Sequence, residues 1–228
     1  FLLPKFTREM MELLPQQFAK GNLPAKRLAK GESKGQVGFI EGCVMQVMFG
    51  DTNESSVELL NRDGWDVITP RKQGCCGALY AHSGQLAKAR DCARRNLAAF
   101  ENEPLDAIII NAAGCGSTLV EYGELLKDDP AWAKRAEAFS AKVKDLVTWL
   151  DSSRFALSGS GAKVTYHDAC HLAHAQGITA EPRELVKAKS GGELVELAES
   201  DLCCGSAGSY NLTEPEMASR LQKRKAQN

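Results

Sequence analysis

The tripeptide Cys-Cys-Gly occurs twice in the chain, beginning at Cys75 and at Cys203, and each copy follows an earlier cysteine at almost the same distance. Cys43 precedes Cys75 by 32 positions, and Cys170 precedes Cys203 by 33 positions. Thiols that only fill a core have no reason to recur at matched positions. We therefore interpret the pattern as an internal repeat of two units that hold the same kind of site.

The residues around the cysteines predict the same order of elements in both halves. Apolar runs at 36–43 and 163–170 predict buried strands that end in a cysteine. A helix, a second strand, the Cys-Cys-Gly word and another helix follow, at 53–64, 65–70 and 84–100 in the first half and at 181–192, 193–197 and 213–227 in the second. The last helix is expected to begin with a capping box formed by Thr213 and Glu216.

A third strand over 105–115 is predicted in the first half only, and it ends in Cys115. Alternating strands and helices predict an α/β fold of two similar parallel-sheet units with helices on the faces. We expect a linker at 1–36, a first cysteine-rich module at 37–150 and a second module at 163–228.

The cysteines follow the predicted strands, and the loops at the carboxyl ends of parallel strands converge on one edge of a sheet. Thiolates gathered there bind iron-sulfur clusters or zinc, and neighbouring glycines leave amide groups free to bond sulfur. Metal binding is favoured over disulfides because a reducing compartment keeps thiols reduced. The candidate metal ligands are Cys43, Cys75, Cys76, Cys115, Cys170, Cys203 and Cys204.

Three histidines lie near the second-half cysteine that starts the repeat. His167 and His171 are candidates to donate hydrogen bonds to a cluster or to carry protons beside it. For His174 a plain surface position is equally acceptable. Cys92 lies outside the repeat and is expected to be a small buried hydrophobic residue.

Several classes of function lack support in the sequence. The chain has no Walker loop, no G-x-G-x-x-G and no G-x-S-x-G, so nucleotide, flavin and acyl-transfer sites are not indicated. Aromatic residues make up 7% without interleaved basic residues, which argues against nucleic-acid binding. There is no apolar run of membrane-spanning length and no signal peptide, so a cytoplasmic location is expected. The start at Phe1 and the stop directly after a helical pattern are typical of a fragment.

The segments "GCVMQ", "CCGALYAHSG", "NAAGCGS", "YHDACHLAHAQGI" and "CCGSAGSYN" resemble a known family. They are similar to the paired cysteine-rich CCG modules of heterodisulfide reductase, lactate-utilisation proteins and the iron-sulfur subunit of glycolate oxidase. The motif sequences are nearest to those of the glycolate oxidase subunit. The resemblance covers residues 37–228, and an N-terminal ferredoxin-like half would precede them. Two departures concern the ligand set. Thr118 stands where the family often has a last cysteine, and the second module stops before its closing cysteine.

The resemblance implies an electron-transfer subunit of a glycolate, or 2-hydroxy acid, oxidase, without catalytic residues of its own. It implies an iron-sulfur cluster of the 4Fe-4S type held by the seven cysteines, with FAD on a partner flavoprotein subunit. Electrons would pass to a quinone-type or membrane-associated acceptor, from a cytoplasmic position or one peripheral to the inner membrane. Two alternatives stay open: a thiol/disulfide redox site like that of heterodisulfide reductase, and a structural zinc module.

Overall fold

A computed structural model of the chain describes residues 23–154, 159, 161–206, 208 and 210–228, together with residues 7, 8, 11 and 14. The strands are β1 (Lys26–Arg27), β2 (Gly35–Phe39), β3 (Trp65–Ile68), β4 (Ala107–Ile110) and β5 (Val143–Asp145). The α-helices are α1 (Cys43–Met48), α2 (Gly50–Asp63), α3 (Ala78–His82), α4 (Leu86–Phe100), α5 (Ala113–Val120), α6 (Tyr122–Leu125), α7 (Ala133–Lys142), α8 (Leu146–Trp149), α9 (Ala180–Ser190), α10 (Tyr210–Thr213) and α11 (Pro215–Ala226). Ser152–Arg154 forms a 3-10 turn and His171–Ala175 a π-helical turn.

The five strands form one sheet in the order β1-β3-β2-β4-β5. β2, β3, β4 and β5 are parallel, and only β1 runs antiparallel, against β3. The chain passes from β2 to β3 on one side and then to β4 on the other side of β2, so β2 lies at the point where the strand order reverses. Loops at the carboxyl ends of strands beside such a point form the usual ligand site of α/β sheets. The predicted α/β fold is confirmed.

The two faces of the sheet carry separate cores, because successive side chains on a strand point to opposite faces. Every residue of β4 is buried. Ala107 and Ile109 pack with Val57 and Leu60 of α2. The alternate residues of β4 pack in the other core with α4, α5, α6 and α7, through Leu97, Phe100, Leu119, Tyr122 and Phe139. Helices on both faces therefore fix the sheet from which the cysteine loops emerge.

The second module has less regular structure. Val164 and Leu194 form an isolated parallel bridge. The strands predicted at 163–170 and 193–197 therefore meet at this single residue pair and do not form a second sheet. The predicted capping box is wrong. Thr213 is the last residue of α10, and α11 has Glu214 at its N-cap without a side-chain hydrogen bond. Among the described helices, none has both the length and the apolar character that a bilayer span requires.

The two modules contact each other through elements that carry cysteines. The π-helical turn that follows Cys170 packs against α5, the helix that contains Cys115. The Ser117 Oγ lies 2.9 Å from Nδ1 of His171, and the Gln176 Nε2 donates to the carbonyl oxygen of Ala113 at 3.2 Å. The cysteine-bearing ends of the two modules thus face the same interface.

Candidate metal centre

The first Cys-Cys-Gly word forms a tight corner between β3 and α3. Gly77 has φ +87° and ψ 0°, a left-handed conformation that side chains disfavour, and it immediately precedes α3. Its backbone N–H donates to the Cys75 Sγ at 3.4 Å. Glycine is therefore required for the turn that brings both thiols to the edge of the sheet and directs an amide at one of them.

The two other cysteines of the first module reach the same edge from neighbouring strands. Cys43 is the first residue of α1, after β2, and Cys115 lies in the first turn of α5, after β4. The Cys43 and Cys75 Sγ atoms are 3.6 Å apart, and the Cys76 and Cys115 Sγ atoms are 3.1 Å apart. The structure thus brings together all four sequence-predicted cysteines of this module.

The thiols differ in exposure and in their tendency to ionise. Cys43 is exposed, whereas Cys76 is buried. Hydrogen bonds from the Cys43 and Cys76 thiols lower the pKa of Cys75, and the pKa of Cys76 is raised by its hydrogen bonds to Cys115 and Cys75 and by burial. The hydrogen bond from Cys76 likewise lowers the pKa of Cys115, so the two acceptor thiols, Cys75 and Cys115, ionise more readily, and the thiolate is the form that binds metal.

A buried polar network holds this corner from the inside. The Tyr122 hydroxyl donates to the carbonyl oxygen of Cys76 at 2.7 Å, and the Asn96 Nδ2 donates to the carbonyl oxygen of Cys75 at 3.1 Å. The Gly74 N–H donates to the Asn96 Oδ1 at 2.8 Å. Both side chains are fully buried, and burial raises the pKa of Tyr122. Sequence reasoning missed this network, because neither residue belongs to a recognisable motif.

Cys92 lies closer to the site than the sequence indicated. It is half-buried on α4, and its thiol interacts with that of Cys75. A Cβ placed on Gly77 would lie 3.2 Å from the Cys92 Cβ. The only hint in the sequence is its position on the helix that follows the first Cys-Cys-Gly word.

The second Cys-Cys-Gly word repeats the geometry of the first. Gly205 has φ +79°, and its N–H donates to the Cys203 Sγ at 3.3 Å. The Cys204 Sγ lies 3.2 Å from the Ser206 Oγ, and that contact lowers the pKa of Cys204. Burial, together with the nearby Cys203 and Cys204 thiols, raises the pKa of Cys170, which directly precedes the π-helical turn. Three thiols of the second module are therefore neighbours.

The predicted histidines contact oxygen atoms. The His167 Nδ1 lies 3.0 Å from the carbonyl oxygen of Ser200, and the His174 Nε2 lies 3.1 Å from that of Asp201. His171 contacts the hydroxyl of Ser117 at the module interface. His167 and His174 therefore hold the loop that leads to the second Cys-Cys-Gly word.

A partly buried ion pair holds the same loop in place. The Arg183 guanidinium donates to both carboxylate oxygens of Asp168 at 2.7 and 2.6 Å and to the Ser200 Oγ at 3.2 Å. Asp168 is buried, and the Arg183 guanidinium lowers its pKa to about 2. Bidentate pairs of this kind are strong and geometrically specific. Arg183 thus joins α9 to the segments that precede Cys170 and Cys203.

Comparison with known proteins identifies the modules. Residues 37–120 and 164–228 match the family model of CCG, the cysteine-rich domain. The chain belongs to this family. The resemblance seen in the sequence is thereby confirmed, and both parts of the CCG match contain one of the corners described above.

Several relatives of the chain are iron-sulfur proteins by name. A probable glycolate oxidase iron-sulfur subunit of Bacillus subtilis (strain 168) is 41% identical over 96% of this chain and 51% of its own length. The glycolate oxidase iron-sulfur subunit of Escherichia coli (strain K12) is 35% identical over 93% and 54%, respectively. Lactate utilization protein A of Oceanobacillus iheyensis is 31% identical over 81% and 76%. The chain spans about half the length of the two glycolate oxidase relatives.

The donor chemistry of the first CCG module fits an iron-sulfur cluster. Four thiols and an amide directed at sulfur are what such clusters use, as ligands and as hydrogen-bond donors. Across the described residues, no three His, Cys, Asp or Glu side chains are arranged to hold a single metal ion. The four thiols of this module are instead linked in one series of contacts, from Cys43 through Cys75 and Cys76 to Cys115, and these are the residues that would hold a cluster.

Proposed function

We propose that the chain is the iron-sulfur electron-transfer part of a flavin-linked oxidase of 2-hydroxy acids, with glycolate as the substrate of the complex. The observation that carries the proposal is the meeting of four thiols at the carboxyl edge of the sheet, in the Sγ pairs Cys43–Cys75 and Cys76–Cys115. The two glycolate oxidase iron-sulfur subunits among the relatives support the choice of complex.

In this proposal each CCG module, at 37–150 and 163–228, has its own ligand set, and residues 1–36 form the predicted linker, whose described part contributes β1 to the sheet of the first module. A cluster of the 4Fe-4S type supplies one-electron transfer when it is bound. His167 and His171 lie in the surroundings of the second set and are not ligands. The proposed ligands are Cys43, Cys75, Cys76 and Cys115 in the first module and Cys170, Cys203 and Cys204 in the second.

The protein's own part in electron transfer is to hold and shield the thiolates. Buried Cys76 and the Tyr122 network fix one side of the first site and keep water from it, while exposed Cys43 opens the other side to the surface. A partner flavoprotein with FAD takes the hydride from substrate, because the flavin carries that chemistry. Electrons then pass through this chain to a quinone-type acceptor, in the cytoplasm or at the inner membrane surface.

The experiment is metal analysis of the full-length protein purified without oxygen. We expect iron and inorganic sulfide, and an electron paramagnetic resonance signal in the reduced form. Cys75→Ser and Cys76→Ser are each expected to lower the iron content and weaken the first-module signal, because a serine oxygen is a poorer ligand for these clusters. Cys92→Ser changes a neighbour of the site rather than a proposed ligand, because Cys92 contacts the Cys75 thiol but lies outside the repeat, so we expect it to lose much less iron than Cys75→Ser or Cys76→Ser. Zinc without sulfide would contradict the proposal and favour a structural module.

The partner is tested by reconstitution with the flavoprotein subunits. Addition of glycolate is expected to reduce the iron-sulfur clusters, and so to produce the signal of the reduced form, only when those subunits are present. Reduction by glycolate without them would contradict the assignment of the hydride chemistry to the flavin.

The approach of the Cys76 and Cys115 sulfurs to 3.1 Å favours one second candidate, a thiol/disulfide redox site. A small movement would let this pair form a disulfide while a disulfide substrate takes up the two electrons and two protons that the thiols release, and the new S–S bond would be about 2.05 Å. The two functions differ in their metal content. Iron-free protein that reduces a disulfide substrate without any flavoprotein would support the second candidate over the first.

A further inference from the structure

The two Cys-Cys-Gly corners rest on equivalent positions of the helices that follow them. A Cβ placed on Gly77 would lie 3.2 Å from the Cα and the carbonyl oxygen of Ala89 in α4. A Cβ placed on Gly205 would lie 2.9 Å from the same two atoms of Ala218 in α11. Each glycine therefore packs directly on a helix backbone, and Ala89 corresponds to Ala218.

Two turns further along each helix, the residue that supports the corner differs between the modules. Seven positions after Ala89 stands Asn96, and seven positions after Ala218 stands Lys225. Asn96 bonds the backbone of Gly74 and Cys75. The Lys225 ammonium donates to three carbonyl oxygens of the second loop, at 2.8 Å, 2.7 Å and 3.1 Å, and these belong to Glu199, Ser200 and Leu202.

Lys225 adds a charge that the first corner lacks at this position. The preceding helix position is arginine in both modules, Arg95 and Arg224, so a cation there does not distinguish them. Arg224 is paired with the carboxylate of Glu199. Among the ion pairs of the described residues, none involves Lys225, whose partners are carbonyl oxygens. The ammonium of half-buried Lys225 donates to the carbonyl oxygen of Leu202, the residue that directly precedes Cys203.

We propose that Lys225 positions the second Cys-Cys-Gly corner and raises the reduction potential of the centre held there. A nearby positive charge stabilises the form that has gained an electron, and net charge and hydrogen bonding set the potential of thiolate-bound clusters. In this electron transfer, the one electron that leaves the donor centre enters the second-module centre. The inference rests on the proposed function, because it requires a cluster in the second module.

The test compares variants of the full-length protein in an electron paramagnetic resonance redox titration. In Lys225→Gln we expect the midpoint reduction potential of the second-module centre to become more negative, while that of the first-module centre stays as in wild type. Lys225→Arg keeps the charge and is expected to leave both midpoints unchanged. Lys223→Gln removes an exposed charge from the same helix and is the matched control. An unshifted second midpoint in Lys225→Gln, or an equal shift in Lys223→Gln, would overturn the charge assignment.

Positioning is measured separately by amide hydrogen exchange in the metal-free protein. Lys225→Met removes all three carbonyl contacts and is expected to speed exchange in residues 199–205 without changing residues 73–77. Unchanged exchange would overturn the positioning role. A wild-type protein with a first-module signal but no second-module signal would overturn the tuning by Lys225 alone, whereas the absence of both signals would contradict the proposed function.

Discussion

Replacement of Gly77 by alanine tests whether the corner depends on both a special backbone angle and a close contact. At φ +87° a left-handed residue other than glycine costs about 1–2 kcal/mol. The new Cβ would also lie 3.2 Å from the Cα and carbonyl oxygen of Ala89, which belong to the rigid backbone of α4. Overpacking of that kind costs about 1–3 kcal/mol. We therefore expect Gly77→Ala to lower the free energy of unfolding by about 2–5 kcal/mol.

The matched control is Gly84→Ala in the same module. Gly84 has φ +75°, and a Cβ placed there meets no atom within 4 Å. The control therefore carries only the backbone cost, about 1–2 kcal/mol. Urea unfolding followed by tryptophan fluorescence measures the difference. All 3 tryptophans, Trp65, Trp132 and Trp149, lie in the first module. Equal losses in the two variants would refute the claim that the corner packs tightly on α4.

Two further changes probe the supports of the corners. Tyr122→Phe leaves the Cys76 carbonyl oxygen without its buried donor, so we expect a loss of about 1–3 kcal/mol of stability by urea unfolding, with a sharper loss of iron than in Phe139→Leu. Arg183→Met is expected to cost about 2 kcal/mol, since it leaves the buried Asp168 carboxylate unpaired. The Asp168 pKa of about 2 means that this pair stabilises fully above about pH 4 and loses its effect as pH falls towards 2. Thermal melts from pH 2 to 7 should show that dependence in wild type and a weaker one in Asp168→Asn.

The alternation of apolar runs and helical patterns predicts the central part of the sheet, because β2, β3 and β4 are short, buried and followed by clear helices. The two edge strands could not be predicted in this way. β1 consists of two basic residues, which predict a solvated linker, and it forms only by antiparallel pairing with β3. β5 has three residues inside a charged helical pattern. Its strand conformation depends on pairing with β4, a contact distant in sequence.

The meeting of the first-module thiols follows from the sequence in the same physical sense, since each cysteine comes just after a buried parallel strand. The side chains that support the corners do not follow from it. Asn96 and Lys225 act through the register of their helices against the loop, and Gly77 and Gly205 pack on the backbone of those helices. Tyr122 reaches the Cys76 carbonyl oxygen from a third helix, α6. His167 and His174 stand near a cysteine in sequence, yet their ring nitrogens contact carbonyl oxygens.

The difference in burial explains why the two corners use different supports, and it leads to a last prediction. Asn96 is fully buried and shares a hydrogen bond with the Tyr122 hydroxyl, whereas Lys225 is half-buried on the last turn of α11. A charge can be placed at the second position because water solvates part of it, but a buried charge without a partner costs several kcal/mol. We therefore expect Asn96→Lys to unfold the first module or lower its stability by more than about 3 kcal/mol. Lys225→Asn is expected to cost about 1 kcal/mol. Similar losses of unfolding free energy in the two substitutions, measured by urea unfolding, would show that burial does not decide which residue each corner accepts.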